Sequence, residues 1–131
     1  MKKFNVGVKA VIRDDQGRVL LLKKNQENPF WEVPGGRIDG DESIEDALAR
    51  EISEELPGAE LKSVTKILCA HRLPKDIDKD LSLLLVYYLV DVLLPSKIEL
   101  STEHTDSIWV SSLNDVDLDG GTLKALTSVF S

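Results

Sequence analysis

Three glutamates and one arginine crowd the segment Arg50-Glu51-Ile52-Ser53-Glu54-Glu55. On a helical wheel of about 100° per residue, Ile44, Leu48, Ile52 and Leu56 step round one side as an apolar stripe. Glu51, Glu54 and Glu55 fall beside that stripe, on an inward-leaning face. Like charges within one turn repel each other, and more strongly where water is excluded. Arg50 is an i+4 partner for Glu54, but one cation cannot balance three anions, whereas a hard divalent cation favours a cluster of oxygens. The spacing points to a magnesium or manganese site. A solvated acidic face would show the same run. The preceding Pro34-Gly35-Gly36 favours the metal, because it presents flexible backbone where an oxygen ligand or a phosphate is received.

These residues need a helix to carry them and a sheet to bury its stripe. The helix starts at an N-cap, Asp41 or Ser43, with Glu42, Glu45 and Asp46 near the positive end of its dipole, and stops at Pro57-Gly58. Residues 4–24 read as a β-hairpin: Val6, Val8, Ala10 and Ile12 alternate, Asp14-Asp15-Gln16-Gly17 turns, and Val19-Leu20-Leu21-Leu22 returns. Trp31-Glu32-Val33 is extended, and Pro34-Gly35-Gly36 is expected to stop regular structure. Strands over 63–70 and 81–94 are expected to pair across a charged loop at 74–80, a short strand follows at 107–110, and a second helix covers 122–130 through Leu123, Leu126, Val129 and Phe130. This order predicts an α/β fold with a mixed sheet between helices.

Composition sets the outer limits. A chain of 131 residues with 42% apolar and 30% charged content reads as a single domain over 1–131. Its net charge of −7 leaves no broad basic surface for duplex nucleic acid. The single Cys69 forms no internal disulfide, and with His71 and His104 it is too thin a set for structural zinc, which fits a reducing compartment. Met1-Lys2-Lys3-Phe4 opens no signal-peptide pattern, and the apolar run at 81–94 is shorter than a spanning helix, so a cytoplasmic protein without membrane attachment is expected. A free strand edge or the 81–94 segment offers a surface for a homodimer.

Gly36, five residues, Glu42, seven residues, then Arg50-Glu51-Ile52-Ser53-Glu54-Glu55 resembles the Nudix box, and Trp31 to Gly36 ahead of it resembles the same family. One position departs: the pattern places a glycine where this chain has Pro57, and Gly58 arrives one residue late, which bears on the helix exit rather than on the metal ligands. The resemblance implies an α/β/α sandwich and hydrolysis, with Mg2+ or Mn2+, of a nucleoside diphosphate linked to another group. It implies that Glu51, Glu54 and Glu55 bind metal with a carbonyl of Gly35 or Gly36, that Arg50 orients the glutamates, and that Glu42 supports them. Glu103, six residues before Trp109, resembles the family's loop glutamate and joins the metal set. Glu51, Glu54 or Glu103 then activates the water, with Glu51 favoured. His104 reads as structural or exposed rather than catalytic.

Arg37, Lys23 and Lys24 are the cations nearest the motif for binding a small-molecule nucleotide. Loops at 25–30, 71–79 and 115–122 would read the base or sugar, with Phe30, Trp31 or Tyr87 as stacking surfaces. Short length favours a nucleoside triphosphate, with ADP-ribose or dinucleoside polyphosphates as alternatives. A non-catalytic nucleotide-binding module of the same fold is the other reading, and the intact Arg50, Glu51, Glu54, Glu55 set argues against it. Asp115, Asp117, Asp119 and Gly120 imitate half a calcium loop, but its twelfth position is Leu126, so the stretch reads as a turn.

Overall fold

The computed structural model describes residues 1–114 and 116–130. Seven strands and two helices follow in the order β1 (Lys3–Ile12), β2 (Val19–Lys24), β3 (Trp31–Glu32), β4 (Gly35–Arg37), α1 (Ile44–Glu55), β5 (Glu60–Arg72), β6 (Leu81–Leu93), β7 (His104–Val110) and α2 (Gly120–Val129). One sheet has the order β4-β1-β6-β5, the other β3-β2-β7. The first is mixed, because β1 runs parallel to β6 and antiparallel to β4. Both faces of the central strands are buried, so alternate residues serve different helices. Val8, Ala10 and Ile12, Leu20 and Leu22, and Tyr88 and Val90 pack with Leu48, Ile52 and Leu56 of the α1 side. Val11, Val19, Leu21, Tyr87 and Leu89 pack with Ala125 and Leu126 of α2. The result is an α/β/α sandwich.

Several expectations are corrected. The arms around Asp14–Gly17 are strands, but they do not form a hairpin ladder; a single bridge joins Arg13 to Val19. β1 pairs instead with β6 along its length and with β4 at Gly7–Lys9, while β2 pairs with β3 and β7 in the second sheet. Nor does Pro34-Gly35-Gly36 end regular structure. Gly35 pairs with Lys9 and Gly36 with Val8, and Gly35, at φ +146°, lies so close to β1 that a Cβ would collide with Val8 O. Ile44 is 38% exposed and does not join the core, because the inward face of α1 is Ala47, Leu48, Ile52 and Glu55. The 81–94 segment is an interior strand, between β1 and β5, and offers no edge to a second copy.

The helix boundaries follow from local chemistry. Ser43 is the N-cap of α1, its hydroxyl accepting the Asp46 N–H at 3.1 Å. The late glycine has found a different role. Leu56 caps the helix, and Leu56-Pro57-Gly58-Ala59 makes a turn closed by the Ala59 N–H on Leu56 O at 2.9 Å, with Gly58 at φ +88°. Proline then glycine at the central positions is the type II pattern. Asp119 caps α2, its carboxylate taken up by the Thr122 N–H and hydroxyl, and Leu126 is buried; in place of the expected turn, Leu118 bridges Trp31 and the chain enters the helix extended. The first acid of the calcium-like stretch, Asp115, lies outside the described residues. Among the described residues no helix is long and apolar enough to cross a membrane.

The burial pattern predicts unequal costs for two isoleucines on one helix. Ile52→Ala, at a fully buried site, should lose about 2–5 kcal/mol of unfolding free energy. Ile44→Ala should lose about 1 kcal/mol or less. Urea unfolding of both variants checks this, and equal costs would contradict the assigned face.

Candidate active site

Arg50 gathers the outer half of the site. Its Nε and one terminal nitrogen grip Glu42 as a fork, at 2.7 and 2.9 Å, and the same terminal nitrogen reaches Arg37 O at 3.1 Å. The other terminal nitrogen donates to Glu51 Oε1 at 2.8 Å and stands 3.4 Å from Glu54. The hydrogen bonds to Glu42 and Glu51 raise the arginine's pKa further, so it remains a cation. The three glutamates differ sharply in setting. Side-chain exposure is 58% for Glu54, 12% for Glu51 and 2% for Glu55. Glu51 packs against Gly36, where an added Cβ would stand 2.6 Å from Glu51 Oε1.

Glu55 is the inner half. Gly35 donates its N–H to Glu55 Oε2 at 2.9 Å. Burial pushes the Glu55 carboxyl up to about 9, with Glu51 beside it acting in the same direction and Lys9 and the Gly35 N–H opposing. Behind it runs a chain that the sequence reading missed. His104 Nδ1 lies 3.7 Å from Glu55 Oε1, His104 Nε2 is 2.9 Å from Glu32 Oε2, and Lys9 Nζ is 3.2 Å from Glu32 Oε1. Burial tends to raise Glu32, but His104, Lys9 and Lys24 outweigh it and hold its carboxyl down to about 2. A lysine inside an otherwise apolar strand, Val8-Lys9-Ala10-Val11, was the available signal, together with a histidine beside Glu103.

Two buried atoms, Glu55 Oε1 and His104 Nδ1, have no hydrogen-bond partner. Donor atoms of Glu55, Glu103 and His104 all lie within 4.8 Å of one another. Bare oxygen and nitrogen donors converging in the interior fit a cation. Glu103 reaches the cluster from an exposed loop held to Asn25, whose N–H donates to Glu103 O at 2.8 Å and whose amide donates to Thr102 O at 2.9 Å.

The cluster opens onto a cavity of about 430 Å³ lined by Gly35, Gly36, Arg37 and Glu103 on the acidic side, and by Lys9, Lys24, Phe30, His71, Tyr87, Asp119 and Gly120 beyond it. Arg37 and Lys24 thus face the cavity, whereas Lys23 does not line it. Phe30 and Tyr87 line it too, Phe30 beneath the Lys24 ammonium at 5.5 Å, while Trp31 packs into the core on the α2 side. All three predicted reading loops contribute to the wall, through Phe30, through His71, Leu73 and Pro74, and through Asp119 and Gly120.

Adding one methyl at two adjacent glycines should separate site from fold. Gly36→Ala meets the end of a flexible side chain, so the melting temperature should stay within a few degrees while Mn2+ affinity by calorimetry falls about 10- to 100-fold. Gly35→Ala meets β1 backbone and should lower the melting temperature itself. Unchanged affinity in Gly36→Ala would contradict the placement of Glu51.

Comparison with known proteins identifies the family. A family model described as the NUDIX domain matches residues 3–123. The fold superposes on the crystal structure of a MutT NUDIX hydrolase from Burkholderia pseudomallei with a TM-score of 0.80 and 30% identity, covering 98% of this chain and 99% of that one. An RNA pyrophosphohydrolase of Saccharophagus degradans is 36% identical over 80 residues, 58% of this chain and 46% of its own length. A putative 8-oxo-dGTP diphosphatase of Bacillus subtilis is 38% identical over 52 residues, 40% of this chain and 34% of its own length. The chain spans less than half the length of either curated relative in these matches. With the family model matching nearly its whole length and Glu51 and Glu55 of the box packed at Gly36 and Gly35, the chain belongs to the NUDIX family.

Proposed function

We propose that this protein is a divalent-metal-dependent hydrolase that cleaves a phosphoric anhydride bond in a small soluble nucleotide, with a nucleoside triphosphate as the favoured substrate. The observation that carries the reading is the convergence of donor atoms of Glu55, Glu103 and His104, with the Arg50-held Glu51 against Gly36, beside a cavity lined by Gly36, Glu103, Lys9, Lys24 and Arg37. When bound, Mg2+ or Mn2+ supplies the positive charge that activates water and offsets the charge developing on the phosphates. Glu51, Glu54, Glu55 and Glu103 are the residues to hold it, with a carbonyl of Gly35 or Gly36. Arg50 keeps Glu51 and Glu54 oriented, and Glu42 keeps Arg50 in place.

Glu51 is the proton acceptor in this reading, because its carboxylate rests on Gly36 at the cavity edge. Lys24 and Arg37 hold the phosphate chain, and they reverse locally the repulsion of a protein whose net charge is −7. Phe30 offers the base an aromatic surface, whereas Tyr87 is fully buried in the α2-side core. Two relatives carry names of anhydride-cleaving enzymes, one acting on RNA and one on 8-oxo-dGTP. The negative net charge disfavours a long polyanion, and the cavity volume lies within the ordinary range for a small-molecule site. The free, half-buried Cys69 suits a cytoplasmic setting.

Phosphate and pyrophosphate release should be measured on nucleoside triphosphates, ADP-ribose, dinucleoside polyphosphates and nucleotide sugars, with Mg2+, with Mn2+ and with chelator. Metal-dependent turnover of a triphosphate, reduced at least about 100-fold in Glu54→Gln without loss of melting temperature, is the expected result. Metal-dependent nucleotide binding without turnover on any of them would favour a non-catalytic module instead.

A further inference from the structure

Glu32 dictates the tautomer of His104. A carboxylate accepts but does not donate, so its 2.9 Å contact with Nε2 places a proton on that nitrogen. The lone pair of the neutral ring then sits on Nδ1, which faces Glu55 Oε1 at 3.7 Å. Both side chains are buried, at 1% and 2% exposure, and neither atom is hydrogen-bonded. Two lone pairs turned toward each other in a buried site call for a positive species between them. A proton on Nδ1 fills the role poorly, since 3.7 Å is well beyond the roughly 3.2 Å limit of an N–H···O bond. A metal ion fills it better: donors about 2.1 Å from one ion stand roughly 3.0–3.5 Å apart, near the spacing seen.

The back of the ring has the matching form. Metal-bound histidines donate their second N–H to a carboxylate, which fixes the ring and strengthens the donor atom. Here Glu32 receives that N–H and is itself held by Lys9 Nζ at 3.2 Å, all three groups being largely buried. We propose that His104 Nδ1 is a metal ligand which, with Glu55 Oε1 and the Glu103 carboxylate, forms a mixed nitrogen and oxygen site that selects a first-row transition ion such as Mn2+ over Mg2+. Glu32 and Lys9 are its positioning residues. This inference rests on the metal reading above and names the kind of ion. Magnesium takes oxygen ligands and water and gains little from imidazole, whereas affinity for a mixed nitrogen and oxygen site rises along the first-row ions from Mn2+ through Fe2+ to Co2+.

The test is pulsed electron paramagnetic resonance of Mn2+ bound to the whole chain. Only two histidines are present, so a His71→Gln background labelled with 15N-histidine leaves His104 as the sole source of imidazole nitrogen. The wild-type chain, labelled in the same way, serves if that variant does not fold. Nitrogen modulation of a directly bound imidazole, changing from the 14N to the 15N pattern on labelling, is expected. By calorimetry, the preference for Mn2+ over Mg2+ should fall at least tenfold in His104→Gln. Bound Mn2+ without nitrogen modulation would overturn the His104 assignment and leave an all-oxygen site standing. Failure of Mn2+ to bind the wild-type chain would overturn the metal reading itself, and this inference with it.

Discussion

A carboxylate that is 2% exposed is the constraint around which this domain is organised. Glu55 occupies a position on α1 that its neighbours Leu48 and Ile52 give to the core, and it points into the same interior. Burying an ionised carboxylate is costly unless donors and positive charge accompany it. Gly35 supplies an N–H at 2.9 Å, and it reaches that position because φ +146° and the missing Cβ let β4 lie against β1. Lys9 supplies charge from inside β1, at an alternate position that the apolar pattern would otherwise fill. The hydrophobic stripe of α1 thus anchors the helix at the depth where its last turn delivers Glu55 beside Gly35.

Around that buried acid the remaining charges fall into two groups. The outer group centres on Arg50, which ties Glu42, Glu51, Glu54 and the backbone of Arg37 together on one guanidinium. The inner group is the line Lys9, Glu32, His104, which ends on the bare Nδ1 and Glu55 Oε1. One group arranges exposed carboxylates near the cavity, and the other stiffens a buried pair. Both meet at Gly35 and Gly36, whose small size lets Glu51 and Glu55 approach the same stretch of backbone.

What the sequence made legible was whatever depends on neighbours along the chain. Periodicity marked both helices and the principal strands, because alternation and the 3.6-residue repeat are local. The glutamate spacing marked the site for the same reason. Strand pairing was legible only in part: the strands expected over 63–70 and 81–94 do pair, whereas residues 4–24 read as a hairpin, yet β1 pairs with β4 and β6 from distant parts of the chain. Lys9 interrupts an apolar strand and His104 follows Glu103, but nothing along the chain shows that either of them meets Glu32. Only the fold brings residues 9, 32 and 104 into one hydrogen-bonded line. Ile44 shows the opposite error, since wheel position alone does not reveal that the first turn of α1 lies clear of the sheet.

The most direct measurement is the melting temperature of the wild-type chain and of Glu55→Gln, each with and without saturating Mn2+. Glutamine keeps the size of the side chain and an acceptor for the Gly35 N–H while removing the carboxylate that a cation would take up. Without metal the variant should melt as high as the wild type or higher; Mn2+ should raise the wild type by mass action and leave the variant nearly unmoved. An equal Mn2+ shift in both proteins, or none in either, would contradict the account in which Glu55 is the carboxylate that a bound cation completes.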